Sequence, residues 1–164
     1  MAARGSFVAA NAMVDALRRG DEAMAVGLID RVTGAADLGL CLLRACETGH
    51  PTCTRLLLAA HAAVDQAASD GRTPLFAACV KGDGDCVQLL LAAHAAVDQA
   101  ASNGATPLMT ACNKGNGDCV QLLLAAHAAV DQAASNGTTP LLAACDKGDG
   151  DCVQLLLAAH AAVD

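Results

Sequence analysis

Nine cysteines and five histidines are the residues of this chain with the widest chemical reach, covering thiolate nucleophiles, disulfides and metal ligation. Eight of the thiols form pairs with one spacing of seven: Cys46/Cys53, Cys79/Cys86, Cys112/Cys119 and Cys145/Cys152. No Cys-x-x-Cys occurs and no nearby His completes a zinc set. Free Cys is among the most buried residue types, so core packing is the reading the pattern favours. Incidental redox sensitivity and a disulfide within each pair, whose members fall on adjacent antiparallel helices, stay open. His61, His94, His127 and His160 recur on a period of 33 at the C-terminal ends of short apolar stretches. An imidazole there can adopt left-handed φ or, when protonated, sit favourably against a helix dipole. Stacked helices stand roughly 8–10 Å apart, whereas zinc bonds nitrogen at about 2.0–2.1 Å. Adjacent rungs of this ladder therefore cannot readily share an ion, and neither a metal nor a cofactor is expected.

No nucleophile elbow, phosphate-binding glycine loop or helical His-Glu-x-x-His is present. Every polar residue that recurs does so on the same period. An active site breaks such symmetry, because its acid, base and nucleophile have different tasks. A non-catalytic protein is expected.

The elements that position these side chains are copies of one block. Asp70 to Ser102 recurs as Asn103 to Ser135 and again from Asn136 to Asp164, and Gly84 to Ser102 is repeated letter for letter as Gly117 to Ser135. A period of this length means stacked units, since one such unit cannot bury its own apolar face. The block reads as turn, helix, turn, helix. Asn103-Gly104 is a turn signal, because both residues tolerate positive φ. Thr106-Pro107 sets a hydroxyl cap before a proline at the first helical position, and Gly115 can end that helix. Asn116 is then the expected cap of a second helix running through Cys119, Val120 and Leu122-Leu123-Leu124, with Asp118 suited to its positive end.

The 33-residue period, the Asp/Asn-Gly turn, Thr-Pro-Leu at Thr73, Thr106 and Thr139, the small pair Ala111-Cys112, Gly115 and the Leu triplet together resemble ankyrin repeats over most of the chain. Two departures stand out. Phe76, Met109 and Leu142 occupy the place where the family usually has His, and His61, His94, His127 and His160 the place where it usually has Gly. The resemblance implies an all-α solenoid of stacked helix-turn-helix units joined by hairpin-like turns. It also implies a concave surface, made of turn tips and the exposed side of first helices, that grips a protein partner.

The whole span 1–164 is expected to form one repeat domain. Residues 1–6 read as a loose leader and 7–34 as a degenerate, charged end unit; the stretch from Phe7 to Ala10 after Arg4 only faintly suggests a secretory signal, which Asn11 and Asp15 interrupt. Residues 36–69 form a drifted repeat in which Asp37 is the expected helix cap and Leu40-Cys41 replaces Thr-Pro. Units 70–102 and 103–135 are complete, and 136–164 is a last unit without a closing cap. Exposing one leucine that a neighbour should cover forfeits roughly 1.5–3 kcal/mol. Self-association, further repeats or a partner is therefore expected at that end.

At 100° per residue Leu75, Ala78, Cys79 and Gly82 share one face of the first helix, and Phe76, Ala77, Val80 and Lys81 the other. The first set is expected in the core. In the second helix Asp85, Gln88 and Ala92 leave a narrow exposed strip. Differences between copies cluster in the turn, the first helix and the loop after it: Arg72, Ala105 and Thr138; Phe76, Met109 and Leu142; Val80, Asn113 and Asp146; and none in the second helix. Two readings are open: drift wherever packing permits, or a partner surface. For the second, the candidates are Arg72, Phe76, Val80, Lys81, Met109, Asn113, Lys114, Thr138, Leu142, Asp146 and Lys147. An apolar stripe rimmed by lysines suits contact, although Phe76, Met109 and Leu142 could equally pack against adjoining units.

The net charge is −7, and residues 61–164 hold the imbalance, with four basic against eleven acidic side chains. A nucleic-acid binder needs cations to displace phosphate counterions, so nucleic acid and anionic membrane surfaces are not expected partners. No apolar run reaches the 18 or so residues that span a bilayer. Closely paired thiols point to a reducing compartment, cytoplasm or nucleus. The expectation is a protein-binding module; the alternative is a targeting or spacer segment of a larger protein whose catalytic or ubiquitin-ligase-type domain lies beyond this chain.

Overall fold

The computed structural model describes residues 2–161, and Met1 and Ala162 to Asp164 lie outside the described residues. These contain ten α-helices and no strand. In chain order they are α1 (Ala2–Arg19), α2 (Glu22–Leu28), α3 (Ala35–Thr48), α4 (Pro51–Ala59), α5 (Pro74–Lys81), α6 (Gly84–Ala92), α7 (Pro107–Lys114), α8 (Gly117–Ala125), α9 (Pro140–Lys147) and α10 (Gly150–Ala158), with a 3₁₀ turn at Ile29–Arg31. The odd-numbered helices stack in one row and the even-numbered ones in a second, and α1–α2, α3–α4, α5–α6, α7–α8 and α9–α10 form the pairs that bridge the rows. This is a solenoid of helix hairpins.

Local chemistry sets the boundaries. Thr73, Thr106 and Thr139 each accept a hydrogen bond at Oγ1 from the backbone N–H three residues on, at 3.2, 3.2 and 3.3 Å, and the following proline starts the helix. Gly82, Gly115 and Gly148 end it in the left-handed region. Asp83 and Asp149 cap α6 and α10 by accepting from Cys86 N and Cys152 N at 3.0 Å. The four histidines of the ladder end the second helices with φ of 61 to 65°, the only non-glycine positive φ values among the described residues.

The core runs unbroken through the stack. Leu42, Leu75 and Leu108 in the first row, and Leu57, Leu90, Leu123 and Leu156 in the second, are fully buried, and Met13 and Leu17 close the end formed by α1. At roughly 1.5–3 kcal/mol per buried side chain, this ladder of leucines and the buried thiols beside it are the chief stabilising force.

Four expectations need correction. The backbone is helical from Ala2, so residues 2–6 are not a loose leader but the start of α1, which further along contributes Ala9 and Ala10 to the core. Helix α3 starts at Ala35 behind Gly34, with Asp37 inside its first turn instead of capping it. Nothing there provides the Asx-Gly turn of the later units, and Ala35-Ala36-Asp37 propagates a helix well. Asn116 does not cap α8. Its Nδ2 donates instead to the Cys79 carbonyl of the preceding unit at 2.8 Å, which an aspartate could not do. Finally, the first helices inside the row are buried on both sides, because α5 packs between α3 and α7 and α7 between α5 and α9: Phe76 (7% exposed), Ala77 and Met109 (5% exposed) are covered.

Candidate functional site

The turns that join the units are built alike. Asp70 Oδ1, Asn103 Oδ1 and Asn136 Oδ1 each accept from the backbone N–H two residues on, at 3.2, 3.1 and 3.1 Å. Only the glycine of each Asx-Gly pair takes positive φ. Successive tips rest on one another through Ser102 N to Asp70 O at 2.9 Å and Ser135 N to Asn103 O at 3.0 Å. Gly104 is required at this contact: a Cβ there would stand 2.7 Å from Ser135 N. The tips are held at fixed spacing beside the first helices.

Between the tips at Asn103 and Asn136 lies a groove of about 430 Å³, lined by Asn103, Ala105, Met109, Thr110, Asn113, Ala134, Ser135, Asn136, Thr138, Ala143 and Asp146. Of the candidate partner-binding residues it brings together Met109, Asn113, Thr138 and Asp146. Met109 forms part of its floor and is nearly buried, whereas Asn113 and Asp146 are exposed. Val80 holds the same helical position one unit earlier and is exposed at 37%. Phe76 is covered by its neighbours and offers no surface, and Leu142 in the same slot is 48% exposed because no unit packs beyond it among the described residues. The expected continuous apolar stripe is therefore absent.

Lys81, Lys114 and Lys147 end α5, α7 and α9, at the opposite end of those helices from the turn tips, and none lines the groove. Lys81 runs back over Gly49 of the preceding unit, and Lys147 over Gly115. There their charge complements helix C-termini.

Arg72 belongs to a cluster that sequence reading missed. Its Nε meets Asp70 Oδ2 at 2.6 Å, its guanidinium reaches Glu47 at 3.8 Å, and Glu47 also pairs with Arg44. The Arg72 backbone N–H, and then its side chain, hold the Asp70 carboxyl below its usual range. Counting back 33 residues from Ala77 and Val80 gives Arg44 and Glu47, so the period itself carried the signal. Ser135, Asn103 and Asn136 were likewise passed over as turn residues, yet they form one wall of the groove.

The thiols are free, and all but Cys145 are buried. Several of them interact with groups of a neighbouring unit. The Thr54 hydroxyl stands 3.7 Å from Cys46 Sγ and 3.4 Å from Cys86 Sγ. A hydrogen bond with Cys86, followed by burial, pushes Cys46 well up; burial, then Cys119 and Cys112, does the same for Cys79. Burial chiefly raises Cys112 to about 12 and Cys119 to about 11. Such thiols are poor nucleophiles and poor ligands. No group of three or more His, Cys, Asp or Glu arranged for a metal ion occurs among the described residues, and no helix among them is long and apolar enough to cross a membrane.

Among the described residues, ten helices stacked as five pairs, joined by turns that contact one another, define a helical repeat protein. The model for ankyrin repeats (3 copies) matches residues 13–101 and 77–164, and the chain belongs to the ankyrin repeat family. Ankyrin repeats are in general protein–protein interaction modules and are typically non-catalytic. No curated protein matches the chain.

Proposed function

We propose that this chain is a non-enzymatic protein-binding module whose turn tips and first helices form a concave surface for a protein partner. The observation that carries this reading is where near-identical copies differ. Residues at the tips and on the open strip of the first helices change from unit to unit, as in Asp70, Asn103 and Asn136 and in Val80, Asn113 and Asp146, while α6, α8 and α10 are identical. The strip is accessible, and stacked units hold it in place, so little ordering cost opposes binding. Eight buried, unpaired thiols favour a reducing compartment such as cytoplasm or nucleus.

Affinity capture from native cell extract tests the reading. The wild type is compared with Arg72→Ala/Val80→Asp/Asn113→Ala on the tip side and with Gln88→Ala/Gln121→Ala on the outer helices. The first variant should lose a captured protein that the second keeps, with helicity unchanged in both; the opposite result sinks the assignment of the surface.

A second reading concerns the last unit, where Leu142, Cys145 and Leu157 are exposed. These side chains continue the inter-unit interface, so a further helix pair or another molecule is suited to cover them. Light scattering in which Leu142→Lys/Leu157→Lys leaves the mass unchanged from an already monomeric wild type would count against self-association.

A further inference from the structure

Resting on the reading that the tip side takes a protein partner, we propose that the groove between the units beginning at Asn103 and Asn136 takes an extended peptide segment of that partner, with a lysine or arginine of the segment directed to Asp146. The tip side has two chemically different halves. Toward α3 its charges are spent on one another, since Arg44, Glu47, Arg72 and Asp70 form a closed ion-pair cluster. Toward α9 the polar groups are open. Among the described residues the side chains of Asn113 and Asp146 make no hydrogen bond or ion pair, and the side-chain amides of Asn103 and Asn136 commit only Oδ1, leaving their Nδ2 donors free.

Asp146 is the one ionisable side chain among those that line the groove. Lys147, its neighbour in sequence, interacts with Asp149 at the far end of the helix. The charge of Asp146 thus has no counterpart within the groove. A cationic side chain of the partner gains a charge-assisted bond there, and its methylene stem can lie along Met109 and Ala143. Free amide donors suit the carbonyls of an extended backbone, which carry their own hydrogen-bonding groups at every residue. An acidic segment would be repelled, and an amphipathic helix would find too little apolar floor, because alanines and one mostly covered Met are all that is offered.

The test is selection of a random-peptide phage library on the immobilised full chain, followed by affinity measurements with the selected synthetic peptides. The expected result is a Lys or Arg at a common position. Asp146→Asn then weakens binding roughly tenfold or more, replacement of the peptide cation by Ala gives the same loss without adding to it, and Gln88→Ala on the outer helices changes affinity by about twofold at most. Circular dichroism checks that the exposed substitution leaves the fold intact. Peptides that depend on Arg72 and Val80 but not on Asp146 overturn this assignment while leaving the broader surface standing. Peptides indifferent to Asp146→Asn, Arg72→Ala and Val80→Asp alike, or no selected peptide at all, overturn it together with a peptide-binding form of the broader reading.

Discussion

The units beginning at Asp70 and Asn136 differ over their shared length at only four positions, Asp70/Asn136, Arg72/Thr138, Phe76/Leu142 and Val80/Asp146. Yet identical residues have different surroundings in the two. Leu75 is fully buried where Leu141 is half-buried, Cys79 is buried where Cys145 is exposed, and Leu91 is half-buried where Leu157 is exposed. The residue does not decide its own burial; the next unit does. In a structure whose units touch only their neighbours, stability is a sum of unit and interface contributions, and one interface separates these two environments.

The sharpest way to test that comparison is to cut the same slot in both units. Phe76→Ala should cost about 3–5 kcal/mol and Leu142→Ala less than about 1 kcal/mol, read as a shift in urea midpoint. Equal costs would mean that the two units are equally covered. Next in size is a dependence on alkaline pH. Thiols raised in the fold to about 11 at Cys41, Cys53 and Cys119 and to about 12 at Cys112 stay protonated while unfolded thiols ionise near the ordinary value. The unfolded state then binds fewer protons, so stability is fully present below that value and is lost as pH rises toward 11 to 12. In the native protein at neutral pH, a thiol reagent should modify Cys145 first and the buried eight only as fast as the stack opens.

Smaller effects probe the parts that every unit shares. His94→Ile, placing a β-branched residue at positive φ, should lower stability by about 1–2 kcal/mol, whereas the same change at His160 should matter less to the midpoint of the whole chain. Asp149→Ala should cost about 1 kcal/mol through its lost cap, and Asn116→Ala a similar amount through its lost bond to the preceding unit. A double variant combining Asn116→Ala with Cys86→Ala should be additive within roughly 0.5 kcal/mol if the two sites share no partner.

Most of the fold was legible in the sequence because its cues are local and repeated: Thr-Pro starts, Gly stops, Asx-Gly turns and the histidines that take left-handed φ. The errors arose where the answer depends on what lies one unit away. A helical wheel divides α5 into an inner and an outer face, but it has no notion of α3 and α7, which between them cover Phe76 and Ala77. The same limit explains why the Lys residues were grouped with the apolar strip. Each directly follows a strip residue, Val80, Asn113 or Asp146, but the turn of about 100° per residue aims it elsewhere, and Lys81 and Lys147 run over Gly49 and Gly115 of the preceding units. Asp146 and Asn113 were identifiable as changes between copies, whereas Ser135, identical in its earlier copy at Ser102, became part of the groove only through the turn that faces it.

The contact between Arg72 and Glu47 has a bearing on assembly order. Units with interchangeable outer helices can dock on the wrong copy, of their own chain or of another, which is a characteristic hazard of repetitive proteins. Arg occurs at this slot in one unit only, and the glutamate that meets it in one unit only. A half-exposed ion pair contributes at most about 1 kcal/mol, enough to favour the correct juxtaposition several-fold without forbidding others. It acts as an address label, and erasing it with Arg72→Thr should show itself less in the melting temperature than in the yield of correctly registered molecules after refolding.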